Sequence, residues 1–401
     1  MRRVLVPVSA VVLAAALVAA VSAFGRSTGG AQSFTVTVDG KNPRANEAFL
    51  AYYPSTVRVH PGDSVIFHMV GNGEPHTVTL GTLVDPAVAA FDKLTPAQKQ
   101  GTPPKSFQLL DARVPQLFPQ GPGDATQSAA NPCYLASGAP PRKGACPKTA
   151  APAFSGTQSF YNSGWLESKA KWTLHLSSST APGTYHFMCL LHREGMSGNL
   201  VVVPSSTSVP SPQAQFAAGQ KRLTADEATL QRPLVALRRG KPPIPITVPG
   251  ENVVLAGSGN PASTVEAAIT EFGKAKISIP VGGSVIWYML GPHTITFNSN
   301  RTNDDIRLVA PGGTVHINPK AVAPAGGPGE PSTPPKAGKA PITFKVVAKT
   351  SWNGKGFLNS GVFGNSNPPV IEGYQLTFTH AGKYKYICTV HDDMKGEVDV
   401  G

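Results

Sequence analysis

The chain carries little charge: only 14% of its 401 residues are Asp, Glu, Lys or Arg. The 35 lysines and arginines are scattered, with only short pairs such as Arg238-Arg239. No basic helix and no aromatic RNA-binding signature gathers them, so nucleic acid is not an expected partner. The formal charge of +12 reads instead as a bias toward anionic surfaces or partners. Long apolar runs are absent after the first 23 residues, and nothing there is long enough to cross a bilayer. Cysteine is scarce, four in all, and methionine nearly so, with six. What is plentiful is glycine, 41 residues, and proline, 39, beside runs rich in Val and Thr. That balance favours β-structure joined by long loops over helical bundles. The length allows two or three domains.

Residues 1–23 read as an export leader. Arg2-Arg3 supply the positive start, Val4 to Ala20 is almost wholly apolar, and Val21-Ser22-Ala23 offers small residues for cleavage. An uncleaved anchor, and with it attachment to a membrane surface through the N-terminus, is the alternative. Export bears on Cys133 and Cys146, which stand in a Pro/Gly/Ala-rich loop with no histidine nearby. In an oxidising compartment this pair reads as a disulfide worth roughly 3 kcal/mol in the chain-entropy picture; two free thiols are the alternative.

The other two cysteines open a motif that occurs twice. Cys189-Leu-Leu-His192-Arg-Glu-Gly-Met196-Ser-Gly198 follows the strand-like Gly183-Thr-Tyr-His-Phe-Met188. Cys388-Thr-Val-His391-Asp-Asp-Met394-Lys-Gly396 follows Lys383-Tyr-Lys-Tyr-Ile387. Each copy has a lone histidine upstream: His76, 113 residues before Cys189, and His293, 95 residues before Cys388. Thiolate, two imidazoles and a thioether are the donors of a blue, type 1 copper site, trigonal His₂Cys with a weak axial Met. Soft sulfur suits Cu(I), and imidazole suits both oxidation states.

The repeat extends well beyond the motif. Val57 to Met69 mirrors Lys276 to Met289, Glu74-Pro-His76-Thr-Val-Thr79 mirrors Gly291-Pro-His293-Thr-Ile-Thr296, and Phe160 to Gly164 mirrors Phe357 to Gly361. Self-similarity of this extent means duplicated domains. The expected organisation is a leader at 1–23, a first domain at 33–203 with an insertion at 82–156, a linker at 204–245, and a second domain at 246–401 with an insertion at 310–340. The first insertion is expected at the surface, with a short helix near Thr95–Gln100. The linker is expected to hold a helix from about Gln213 to Gln231, stopped by Pro233, with Thr224-Ala-Asp-Glu227 as a cap signal.

Both halves resemble cupredoxins, the β-sandwich family of plastocyanin, amicyanin and pseudoazurin. The resemblance rests on the lone strand-end His followed by Cys-x2-His-x2–4-Met-x-Gly, and covers 33–203 and 246–401 apart from the insertions. It implies an all-β protein of two tandem Greek-key β-sandwiches with long loop insertions and a partly helical linker. It implies copper in two type 1 sites, one held by His76, Cys189, His192 and Met196, the other by His293, Cys388, His391 and Met394. It also implies that His192 and His391 form exposed electron exits. The family commonly has Asn after the first His; Thr77 and Thr294 stand there instead, which leaves the tie between the ligand loops open. Asp392-Asp393 beside His391 suggests the lower reduction potential for the second site.

Three functions follow from these readings. The first is electron transfer outside the cytoplasm, in exported, periplasmic or surface form, with a cytochrome, oxidase or dehydrogenase as redox partner. The second is a copper oxidoreductase of the two-domain nitrite reductase or laccase type. Those nitrite reductases place a further ligand His directly before the type 1 Cys, where Met188 and Ile387 stand here. Laccases need His-x-His and His-Cys-His pairs, which this chain lacks. The third is copper buffering at the cell surface without redox turnover. An electron carrier, not an enzyme, is expected.

Overall fold

Alternating strands build the first half. In Ser64–Met69 every second side chain, Val65, Phe67 and Met69, is fully buried, the two-residue period of a strand with one face on a core. That strand runs parallel to Ser33–Val38 and antiparallel to Lys171–His175, with Tyr52–Tyr53 at the sheet's edge. A facing sheet runs Thr56–Val59, Arg193–Val202, Gly183–Cys189, Thr79–Leu80, Phe160–Asn162 and Cys133–Leu135. Phe34, Val36, Phe67, Phe187 and Leu200 close the space between them. Tyr52 stands edge-on to Phe187 at 4.9 Å between centroids, and its hydroxyl donates to the Thr77 carbonyl. The computed structural model describes residues 30–40, 45–71, 74–100, 103–115, 117, 127–136, 146, 150–242, 247–259, 267–300, 306–309, 314–326, 343–364 and 370–401. The expected leader, 1–23, lies outside them, as does much of the segment 310–340. Among the described residues no helix is long and apolar enough to cross a membrane.

The second half repeats the plan. One sheet orders Thr343–Trp352, Val370–Phe378, Ser284–Met289, Val253–Gly259 and Ala267–Phe272; the other orders Lys276–Ile279, Lys395–Val400, Gly382–Ile387, Thr296–Phe297 and Leu358–Asn359. Fully buried Trp287 packs across the gap on Tyr386 at 5.3 Å. The protein is therefore all-β in its two tandem sandwiches, as the alternating patterns imply.

The halves do not hang from a tether. Glu47–Phe49, from the first half, adds a sixth strand to the second half's sheet, pairing antiparallel with Ala267–Phe272. The segment expected as a linker is a single helix, Pro212–Arg238, capped by Ser211, whose hydroxyl accepts from the Ala214 N–H. The expected stop at Pro233 does not occur: the helix continues to Arg238. A proline in a helix interior costs about 3 kcal/mol. Burial of Leu234 and Leu237 beyond it offsets that, because the last turns sit in a core shared with Phe49, Tyr53, Leu255, Ile269 and Tyr288. The expected cap signal at Thr224–Glu227 lies mid-helix; Asp226 there is buried and accepts from the Tyr53 hydroxyl and from Arg222. At Gly219 the helix touches the first half's chain so closely that a Cβ would lie 2.5 Å from the Pro54 nitrogen.

The first insertion is more than a surface loop. It holds the helices Val84–Asp92, Pro96–Gln100, Lys105–Asp111 and Gln127–Ala130 and the strand Cys133–Leu135. Its Val84, Ala87, Val88, Leu117 and Ala129 bury Met188 and Leu190 on either side of Cys189. Cys133 and Cys146 are bonded to each other.

If the helix locks the halves together, Leu237→Ala should lower the unfolding free energy by about 2–5 kcal/mol, the usual range for a buried Leu truncation. Denaturant unfolding reads this as a lower midpoint. Leu109→Ala, at a side chain 59% exposed, should leave the midpoint unchanged.

Candidate metal centres

Folding brings the predicted donors together in both halves. His76 Nδ1, Cys189 Sγ and His192 Nδ1 form one triangle, with the nitrogens 3.1 Å apart and the sulfur 3.7 and 3.6 Å from them. His293 Nδ1, Cys388 Sγ and His391 Nδ1 form the other, at 3.0, 3.9 and 3.5 Å. An ion about 2.0 Å from each nitrogen and about 2.3 Å from the sulfur fits within such a triangle. Met196 is fully buried in the same cluster as Cys189, and Met394 in the same cluster as Cys388. The second loop is closed on itself, with the Cys388 N–H donating to the Met394 carbonyl.

The strands explain the convergence. Each cysteine ends or just follows a strand whose neighbour begins shortly after the upstream histidine, through Thr79 against Met188 and Thr296 against Ile387. Each upstream histidine makes a two-way backbone bridge, His76 with Leu166 and His293 with Phe363. The repeated Asn-Ser-Gly segment holds this strand in place. Ser163 accepts the Val78 N–H and Ser360 the Ile295 N–H, at 2.9 and 2.8 Å. Asn162 donates to carbonyls of the first insertion, and Asn359 to Lys320 and Ala321 of the second.

Threonine does the work left open for the residue after the first histidine. Thr77 Oγ1 accepts the Leu190 N–H and Thr294 Oγ1 accepts the Thr389 N–H, both at 2.8 Å, tying one ligand loop to the other. Their own N–H groups point at the sulfurs, 3.4 Å from Cys189 and from Cys388. An N–H aimed at a thiolate stabilises its negative charge and tunes any metal it holds.

The same contacts shift the charge states of the donors. Burial alone would push each thiol up, but the two imidazoles against each sulfur reverse that and hold both well below the usual cysteine range. Burial would likewise suppress the histidines' protonation. Glu74 and the sulfurs overcome it at His192 and His391, whose pKa values rise to about 10. At His76, Asp39 and Cys189 overcome it, to about 9. His293 moves the other way, lowered chiefly by burial.

The two carboxylates in that account, Glu74 and Asp39, are not among the residues singled out in the sequence. Asp39 is fully buried, with Oδ2 3.3 Å from His76 Nε2, and it accepts the Gly40 and Phe49 N–H groups. By strand register Val38 opposes Met69 as Ala256 opposes Met289, so the second half has Gly257 where the first has Asp39. Both are left-handed, φ 64° and 72°, and a Cβ at Gly257 would lie 2.1 Å from His293 Nε2. The mirrored alignment likewise sets Gly291 against Glu74. That mismatch between otherwise matching repeats is the signal the sequence held.

Glu74 also overturns the expected exits. His391 Nε2 is hydrogen-bonded to Glu74 Oε1, and His192 Nε2 lies 2.9 Å from Glu74 Oε2. His391 is 2% exposed and the His192 side chain 13%, so neither is an open port. The physical reason is the docking of the halves, which turns each mouth toward the other.

Fold and donors together define a tandem β-sandwich protein with a buried thiolate and bis-imidazole candidate metal centre in each half. No family model matches the chain, and no curated protein does. Among solved structures it is similar to reduced auracyanin from Roseiflexus castenholzii, with 18% identity over 44% of this chain and 100% of that one, at a TM-score of 0.22. It is similar to the blue copper oxidase from Nitrosomonas europaea, with 11% identity, coverage of 92% and 86%, and a TM-score of 0.19. For the copper-containing nitrite reductase from Thermus scotoductus the values are 13%, 92% and 68%, and 0.18.

Thr77→Val and Thr294→Val each remove the acceptor of a buried N–H between ligand loops. Each should weaken metal binding at its own site by about 10–100-fold and spare the other, as read by chelator competition.

Proposed function

We propose that the chain is an extracytoplasmic copper protein that transfers electrons, with one type 1 site in each of two units, 33–203 and 246–401. The observation that carries this reading is the pair of triangles, each a cysteine sulfur and two histidine Nδ1 atoms within 4 Å of one another. Two imidazoles and one thiolate in a plane, with a thioether on the same loop, suit copper better than zinc, which favours a tetrahedral closed shell. Copper held there would exchange one electron between Cu(II) and Cu(I). In this reading His76, Cys189, His192 and Met196 would hold the first ion, and His293, Cys388, His391 and Met394 the second.

The chain's own residues keep the donors still. Ties through Thr77, Thr294, Ser163 and Ser360 fix the two ligand loops against each other, so little moves when the charge at the site changes. Burial of both cysteines excludes water and competing ligands. The Cys133–Cys146 disulfide supports an oxidising compartment. A redox protein remains the partner that this chemistry requires. With His192 and His391 turned inward, that partner docks elsewhere on the surface.

The carboxylates reverse the order of potentials suggested by Asp392-Asp393. The Asp393 side chain is 61% exposed and lies 3.5 Å from Lys395, where water screens its charge. Asp39 is buried against a ligand of the first site alone, and negative charge in a low-dielectric interior favours the more positive ion strongly. The first site therefore has the lower potential.

Metal analysis should find two coppers per chain and a thiolate-to-copper absorption band; Cys189→Ser and Cys388→Ser should each remove one blue copper. A colourless copper-loaded protein would refute the reading. Asp39→Asn in the Cys388→Ser background should raise the first site's potential by about 60 mV, a tenfold shift in its oxidation ratio; redox titration reads it.

A further inference from the structure

Glu74 stands between the two centres and belongs to both. It lies two residues before His76 in the first half, and no counterpart exists in the second, where the repeat has Gly291. Its two oxygens face different imidazoles: Oε1 meets His391 Nε2 and Oε2 meets His192 Nε2. Each of those rings turns its other nitrogen, Nδ1, into its own donor triangle. The side chain is about 10% exposed, and both rings are largely shielded from water. One carboxylate thus completes an unbroken chain of close contacts: triangle, His192, Glu74, His391, triangle.

Other features hold that chain in line. Glu47–Phe49 and the helix Pro212–Arg238 clamp the halves together, and the Asn46 side chain donates to the Asp393 carbonyl beside the second ligand loop. The facing of the two mouths is therefore set by the fold as well as by Glu74. A residue whose purpose was only to orient one histidine would need one contact. This one meets two, with Oε1 hydrogen-bonded to His391 Nε2 and Oε2 2.9 Å from His192 Nε2.

We propose that Glu74 is the electron bridge between the two copper sites, so that they work as one internally connected pair and not as two separate ports. The proposal rests on the copper reading above. In the step itself one electron leaves the reduced site, whose Cu(I) becomes Cu(II), and arrives at the oxidised site, whose Cu(II) becomes Cu(I). No bond is broken, no proton is needed and no further reactant enters. The carboxylate supplies the contact between the two imidazole rings.

The test uses the full chain loaded with copper, as wild type, Glu74→Gln and Glu74→Ala. Glu74→Gln keeps the volume but offers one acceptor oxygen in place of two. Electron paramagnetic resonance of the doubly oxidised forms gives the dipolar splitting, which reports the distance between the coppers, and the exchange coupling, which reports the path through the groups between them. Flash reduction of the half-oxidised forms gives the intramolecular exchange rate. The expected result is two blue coppers and an unchanged dipolar splitting in all three forms. Exchange coupling and transfer rate should fall about tenfold or more in both variants. Unchanged coupling and rate in the variants would overturn the bridge while leaving the two copper sites standing. A dipolar splitting lost in both variants would also overturn it, by showing that Glu74 holds the halves together and nothing more. A wild type without blue copper would instead remove the reading beneath it.

Discussion

Both centres depend on a sulfur and two imidazole nitrogens being held within 4 Å of one another by residues 113 and 95 positions apart. Three such groups left metal-free in a dry interior are costly, because buried polar atoms need partners. The sandwich resolves this by strand pairing. Neighbouring strands bring the upstream histidine beside the cysteine, and a short loop returns the second histidine. The threonine after the first histidine locks the loops through its hydroxyl while its N–H meets the sulfur. One residue thereby positions the ligands and tunes the donor.

The halves are copies in their ligands and differ in their charges. Asp39 and Glu74 both come from the first half, and the second half has Gly257 and Gly291 in their places. A side chain at Gly257 would collide with His293, so the second site cannot hold a carboxylate there. Duplication supplied two equal cages, and the acids around them make the pair unequal. Exposed acids near the second site, Asp393 among them, sit in water and matter less.

Much of this was legible in the sequence. The repeated Cys-x2-His motif, the lone upstream histidines and the strand periods pointed to two sandwiches and to the donors that now meet. Four things were not legible, each for a physical reason. Pro233 reads locally as a helix stop, and only the shared core around Leu234 and Leu237 carries the helix past it. The insertion at 82–156 reads as loop because its helices are short, and its buried side chains gain order only against Met188 and Leu190. The exposure of His192 and His391 could not be read from either half alone, since it is set by how one half covers the other. Glu47–Phe49, a strand lent across the halves, has no local signature that names its partner sheet.

A crystal structure of the copper-loaded chain would decide whether the two centres are joined. The expected result is one copper within each triangle, bound by His76, Cys189 and His192 and by His293, Cys388 and His391, with Glu74 spanning the two Nε2 atoms between them. Copper bound elsewhere, or two coppers whose histidines open separately to solvent, would contradict it.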